Sequence, residues 1–343
     1  MMKKRLSLLL SLLMIISLLS VVSVPFTANK ADAAAAFAKG ADVSWLSEME
    51  YYNWAFYNSS GTKQDLLQIL KDKGMDSIRL RVWVNPSINF SNKADVVKQA
   101  VRAQKMGFRI MIDFHYSDTW ADPGKQAKPA AWSGKSFDQL KQAVYNHTYD
   151  VLNTLKSSGV TAEWVQVGNE TNNGMLWDDG KASVSMNQFA QLVTSGYNAV
   201  KAVNASTKVI VHLSNGYDNS LFRWMFDGLK ANGAKWDVIG LSLYPSTTDW
   251  STLDAQALAN MNDMVSRYGK EVMVCEVGMD VTAPEAAKAF LTDIIAKTRS
   301  VSGGKGLVVF YWEPESYGTW YEYTKGAFDS KGKPTAALDA FKN

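Results

Sequence analysis

Apolar positions along the chain follow two alternating rhythms. Short runs rich in β-branched residues alternate with longer stretches in which apolar side chains recur every three or four positions. The first rhythm suits buried strands, the second amphipathic helices. It predicts strands over residues 40–45, 77–84, 108–113, 163–168, 208–213, 238–243, 271–277 and 306–312. Helices are predicted between them over residues 63–73, 93–106, 137–156, 186–203, 220–231, 254–268 and 284–297, with a short one over 334–341. Gly74, Gly107, Gly159, Gly233 and Gly269 stand just past five of these helices, where a left-handed stop is common. Eight β-then-α units in strict order predict an α/β fold, a single-domain (β/α)8 TIM barrel. A doubly wound open sheet is the competing architecture, but no glycine-rich phosphate turn follows the first strand.

The first thirty-odd residues break this pattern. A basic start, Met1-Met2-Lys3-Lys4-Arg5, precedes an apolar run over residues 6–24, and Ala31-Asp32-Ala33 offers a small-residue cleavage site. This predicts a removed signal peptide over residues 1–33, a catalytic domain over 34–343, and export from the cell. The alternative is a retained anchor, since about 20 apolar residues can span a bilayer. Without the leader, 32 basic and 32 acidic residues remain, so neither nucleic acid nor an anionic membrane surface is an expected partner. A monomer is expected. Cys275 is the sole cysteine, which excludes an internal disulfide framework. If its neighbour Glu276 faces the barrel interior, strand alternation predicts that Cys275 faces the helices as a small buried apolar group.

In such barrels chemistry sits at the C-terminal strand ends. Those ends carry Arg79, Arg81 and Trp83; Asp113, His115, Asp118 and Trp120; Asn169 and Glu170; His212 and Asn215; Ser242 and Tyr244; Glu276; and Trp312 and Glu313. No nucleophile elbow is present, and His115, His147 and His212 are scattered, so no metal is expected. Tryptophans with carboxylates and amides suit a neutral sugar: C–H faces stack on the rings and polar groups take the hydroxyls. Cleaving a glycosidic bond needs one protonated and one ionised carboxyl group. Glu170 and Glu276, ending the fourth and seventh strands, are the expected catalytic pair. Arg79, Arg81, Trp83, Asp113, His115, Asp118, Trp120, Asn169, Tyr244 and Trp312 are the expected substrate contacts. Asp113 could equally tie the barrel together. Glu313 neighbours Trp312 and is expected to point away from it.

Several segments carry a family resemblance. Trp164 to Glu170 with Thr171-Asn172-Asn173-Gly174-Met175-Leu176-Trp177 resembles the acid/base segment of family 53 glycoside hydrolases, the endo-β-1,4-galactanases. Arg79-Leu80-Arg81-Val82-Trp83-Val84-Asn85-Pro86 is similar to that family's second strand, and residues 113–126 to its third-strand loop. Residues 237–245 and 310–314 match further on. The resemblance implies clan A chemistry with retention of configuration and no organic cofactor, Glu170 as acid/base, Glu276 as nucleophile, and a β-1,4-galactan substrate. The chain departs from the pattern at Ser246-Thr247-Thr248-Asp249-Trp250, where many members place an aromatic soon after the proline. The short loop between Glu276 and Pro284 leaves no room for the calcium-binding extension of some bacterial members. Two other readings remain: a clan relative acting on mannan, xylan or cellulose, and a silent carbohydrate-binding barrel.

Overall fold

The computed structural model describes residues 36–342, so the leader expected over residues 1–33 lies outside the described residues. Eight parallel strands close into a barrel in sequence order. They are β1 (Ala38–Asp42), β2 (Ser77–Val82), β3 (Arg109–Phe114), β4 (Trp164–Val167), β5 (Lys208–Leu213), β6 (Val238–Leu243), β7 (Glu271–Val277) and β8 (Gly306–Trp312). Around them run α1 (Leu46–Tyr51), α2 (Leu66–Asp72), α3 (Lys93–Lys105), α4 (Phe137–Ser157), α5 (Met186–Val203), α6 (Asn219–Ala231), α7 (Trp250–Tyr268) and α8 (Pro284–Arg299). This is the (β/α)8 barrel that the alternating pattern predicts. Among the described residues no helix is long and apolar enough to cross a membrane.

Local chemistry explains the boundaries. Ser136 and Gln139 form a reciprocal capping box at the start of α4, and Asp65, Asn92, Ser185 and Asp218 cap α2, α3, α5 and α6. The five glycines expected to stop helices all have positive φ, between 66° and 91°. Helix α4 turns Leu140, Val144, Val151 and Leu155 to the barrel, and each such burial contributes about 1.5–3 kcal/mol. Two elements differ from expectation. Six-residue α1 was not visible in the pattern, and the segment expected as a last helix is a 3-10 turn, Ala336–Lys342.

Strand alternation divides the side chains. On β2, Ile78, Leu80 and Val82 join the core under the helices, whereas Arg79 and Arg81 make their ion pairs inside the barrel. The barrel floor is plugged by Ala38, Met111, Trp164, Ile210, Val238, Met273, Cys275, Val308 and Phe310. A Cβ on Gly40 would lie 2.5 Å from the Phe310 ring, so β1 needs a glycine there. Cys275 therefore faces the barrel interior, not the helices. The reason is a bulge: Leu241 pairs with Val274 but Ser242 pairs with Glu276, leaving Cys275 unopposed. The extra residue breaks the period of two, so Cys275 and Glu276 both turn inward.

Candidate active site

Above the apolar plug the strands deliver polar groups instead. Arg79 is fully buried on β2. Its Nη1 is 2.6 Å from Asp42 at the end of β1, and its Nη2 is 2.9 Å from Asp113 and 2.8 Å from Glu276. The same Nη2 lies 3.1 Å from Gln166 Oε1 and Asn169 Oδ1. Burial opposes the Arg79 charge, but Asp113, Glu276 and Asp42 outweigh it and hold the proton firmly. Burial likewise works against the Asp113 charge; Arg79 and His115 overcome it and keep the carboxyl below its ordinary value.

Glu276 ends its strand with one oxygen on Arg79 and the other accepting the Tyr244 hydroxyl at 2.9 Å. Burial pushes its carboxyl up, while Arg79 and Tyr244 favour the ionised form. Glu170 has no such cation in contact. Its carboxyl is pushed up to about 8, first by burial and then by the charge of Glu276, with the Ser242 hydroxyl opposing. The chain reaches Glu170 through two left-handed residues, Gly168 at φ 83° and Glu170 itself at φ 43°. A Cβ on Gly168 would sit 2.6 Å from Thr171 Cγ2. A glutamate in that backbone region is strained, and such strain is common where a side chain must be aimed.

His212 supports Glu170 from below. Its Nδ1 receives the Gln166 amide at 2.9 Å and the Glu170 backbone N–H at 3.3 Å, so the proton sits on Nε2. Nε2–H donates to Ser242 Oγ at 2.7 Å, and Ser242 in turn bonds Glu170. Burial, then the charge of Arg79, keeps the imidazole neutral. His115 has the matching arrangement: its Nδ1 accepts from Trp83 Nε1 and the Ala121 N–H, and its Nε2–H donates to Asp113 at 3.0 Å.

These groups open into a cleft of about 510 Å³. Of the residues expected from sequence, His115, Trp120, Asn169, Glu170, Tyr244, Glu276 and Trp312 line it. Arg79 and Asp113 lie just beneath. Arg81 and Trp83 stand behind the wall, with the Arg81 guanidinium 4.2 Å from the Trp120 ring centre and 2.5 Å from Glu313. Asp118 is not brought to the cleft: its oxygens accept the Asn85 and Ala130 backbone N–H groups, bracing the loop after β3 and tying it to the loop after β2. Glu313 also stays out of the cleft, held by Arg81 and the Trp45 N–H, and is pushed up to about 7 by burial. His147 packs among Phe114, Tyr116 and Trp132. Among the described residues no cluster of three or more His, Cys, Asp or Glu is arranged to hold a metal.

The sequence model of glycosyl hydrolase family 53 matches residues 38–341. The chain belongs to that family. It is a glycoside hydrolase. Arabinogalactan endo-β-1,4-galactanase A of Emericella nidulans is 36% identical over 301 residues, covering 82% of this chain and 85% of the relative. Among solved structures, a fungal β-1,4-galactanase superposes with a TM-score of 0.82 at 29% identity, covering 89% of this chain and 99% of its own. The family 53 catalytic domain of Ignisphaera aggregans gives 0.81 at 30% identity, covering 89% and 95%.

Several site residues of this family 53 chain were not singled out from its sequence. Asp42 and Gln166 complete the ring around Arg79, and Tyr323 and Lys325 line the cleft from the loop after β8. Asp42 had a usable signal, since it ends β1 directly in register with Arg79. Tyr323 and Lys325 lie more than ten residues past their strand, and no strand-end rule reaches them.

Proposed function

We propose that the protein is an exported, retaining endo-β-1,4-galactanase with Glu276 as nucleophile and Glu170 as acid/base. The observation that carries this is the unequal surroundings of two carboxyls facing one cleft. Glu276 is tied to Arg79 and Tyr244, whereas Glu170 is buried beside a negative neighbour and holds its proton to about pH 8. Retention needs the two groups about 5–5.5 Å apart, and both line one cleft with the Glu276 charge acting on Glu170, which supports that reading.

On this reading Glu170 protonates the leaving glycosidic oxygen as Glu276 attacks the anomeric carbon, giving a galactosyl-enzyme ester. Glu170, now ionised, takes a proton from water as that water attacks the ester. Free Glu276 is regenerated and Glu170 is again protonated. Asn169 and Trp312 stand where a hydroxyl and a sugar face would rest. The galactan substrate is supported by the relatives' activities, and export by the leader pattern of residues 1–33.

The test is a time course of reducing-sugar release from β-1,4-galactan, with mannan, xylan and carboxymethylcellulose in parallel. Release from galactan alone, with oligomers early, is expected; release only from another glycan would move the substrate. Glu170→Gln should lower kcat about 10²–10⁴-fold, and Glu276→Ala at least as much, with the fold of each variant intact by circular dichroism. Near-normal turnover in either variant would overturn the assignment. For export, the N-terminus of protein collected from culture medium should begin at Ala34.

A further inference from the structure

The aromatic wall does not end at the cleft. Trp312, in the cleft, packs edge-on against Trp45 with ring centres 5.1 Å apart. Trp45 in turn stacks on Tyr321 at 5.4 Å, with planes inclined by 23°. From Tyr321 the contacts continue to Trp320 at 5.2 Å, then to Tyr52 at 6.3 Å and Tyr51 at 5.1 Å. The path leaves the loop after β8 and ends on α1.

Burial changes along that path. Trp45 and Trp320 are almost covered, but Tyr51, Tyr52 and Tyr321 are 69%, 58% and 59% exposed, the three most exposed aromatics among the described residues. Single exposed aromatics are ordinary on a protein surface; three on one connected path from a cleft are a patch that calls for a ligand. Tyr321 is also held in place. Its φ is 45°, followed by Glu322 at 55°, a left-handed pair without glycine that is costly for the backbone. The Tyr321 hydroxyl donates to Glu48 Oε1 at 2.7 Å, fixing the ring, and Trp45 covers one face.

We propose that Tyr321, Tyr52 and Tyr51 form a platform that carries a neutral β-1,4-linked pyranose chain beyond the cleft. The occupant follows from continuity: a chain lying on Trp312 and running toward α1 meets these rings next. Tyrosine suits it because the ring offers an apolar face to sugar C–H groups while its hydroxyl takes a polar partner, Glu48 in the case of Tyr321. Rigid rings also add contact area with little side-chain entropy to lose. This inference rests on the proposed action on a long glycan, and deepens it by placing outer subsites.

The test compares substrate lengths. Tyr321→Ala and the Tyr51→Ala/Tyr52→Ala double variant are assayed on long-chain galactan and on the shortest galacto-oligosaccharide that the wild type cleaves. Each should lose at least 5-fold in kcat/KM on the polymer, mostly through KM, and under 2-fold on the short substrate. Equal losses on both substrates, or none, would overturn the platform. Tyr51 and Tyr52 are exposed at the end of a short helix, so their variant decides the matter if Tyr321→Ala does not fold. Wild type inactive on galactan would refute the substrate reading instead, and the same length series on the glycan it does cleave would then judge the platform.

Discussion

Two pairs of carboxyl groups in this molecule face the same electrostatic problem and resolve it differently. Glu170 and Glu276 share the cleft; Asp254 on α7 and Asp293 on α8 meet in the seam between two helices. Like charges brought together in a poorly solvated place cannot both ionise cheaply. In the cleft, Arg79 and Tyr244 attach to one member only and favour the ionised form of Glu276 against its burial, while Glu170, without them, is pushed up to about 8. In the seam Lys297 holds Asp293 with both oxygens at 2.6 Å, and Asp254 is pushed up to about 9 by burial and by Asp293. Both pairs thus contain a protonated acid near neutral pH. On the proposed reading only the cleft pair uses it, because Glu170 lines a cleft wide enough for a leaving group and Asp254 does not. A raised pKa alone does not mark a catalyst; the cavity beside it does.

Arg79 gives the largest expected effect. Arg79→Met would leave Asp42, Asp113 and Glu276 buried around no cation. Breaking one buried pair typically costs about 3–5 kcal/mol, and here three partners are stranded. Chemical denaturation should show at least that loss, with activity abolished. A variant of near-normal stability would mean that the charge asymmetry of the cleft does not depend on this arginine.

Next come the two hydroxyl donors, whose effects have defined signs. Tyr244→Phe removes a donor to ionised Glu276, so its carboxyl rises and the acid limb of the kcat/KM profile moves to higher pH, with about a 10-fold loss in kcat. Ser242→Ala removes a donor that favours ionised Glu170, so Glu170 rises above about 8 and the alkaline limb moves up by about one pH unit. The two limbs should respond separately. A shift of both limbs in either variant would show that Glu170 and Glu276 titrate as one group, not as the split pair described here.

Much of this was legible in the sequence because barrel strands obey simple parity. The inward set Arg79 and Arg81 and the strand-end Glu170 and Glu276 follow from alternation and from where strands stop. Parity failed at Cys275, where the bulge opposite Ser242 inserts one residue and turns two neighbours, Cys275 and Glu276, to the same side. Loops were less legible. Asp118 lies in a segment rich in site residues, yet it spends its oxygens on one backbone N–H of its own loop and one of the loop after β2. The start of α7 was misjudged by four residues, because Asp249 makes no cap to the helix and accepts from Ser246 N–H instead. The aromatic path was invisible for a different reason: Tyr52 and Tyr321 are far apart in the chain, and only barrel closure between β8 and β1 brings their loops together.

The seam pair offers the smallest effect and the sharpest contrast. Among the described residues neither Asp254 oxygen receives a donor from another group; burial and Asp293 raise the carboxyl, and the charge of Lys297 opposes them. In the unfolded chain Asp254 loses its proton near pH 4; in the folded chain it keeps it to about 9. The folded state therefore binds more protons across that window, so this group's stability contribution is complete below about pH 4 and declines as pH rises toward 9. Asp254→Asn keeps the shape and supplies a permanent N–H donor to Asp293. Its Tm should match wild type at pH 4 and exceed it by a margin that grows to several degrees at pH 8, while kcat and both limbs of the activity profile stay unchanged. A variant whose Tm declines with pH as the wild type's does would show that Asp254 does not carry this titration. A variant that altered the activity profile would show that the two pairs communicate through the barrel, and the distinction between a working proton and a stored one would fail.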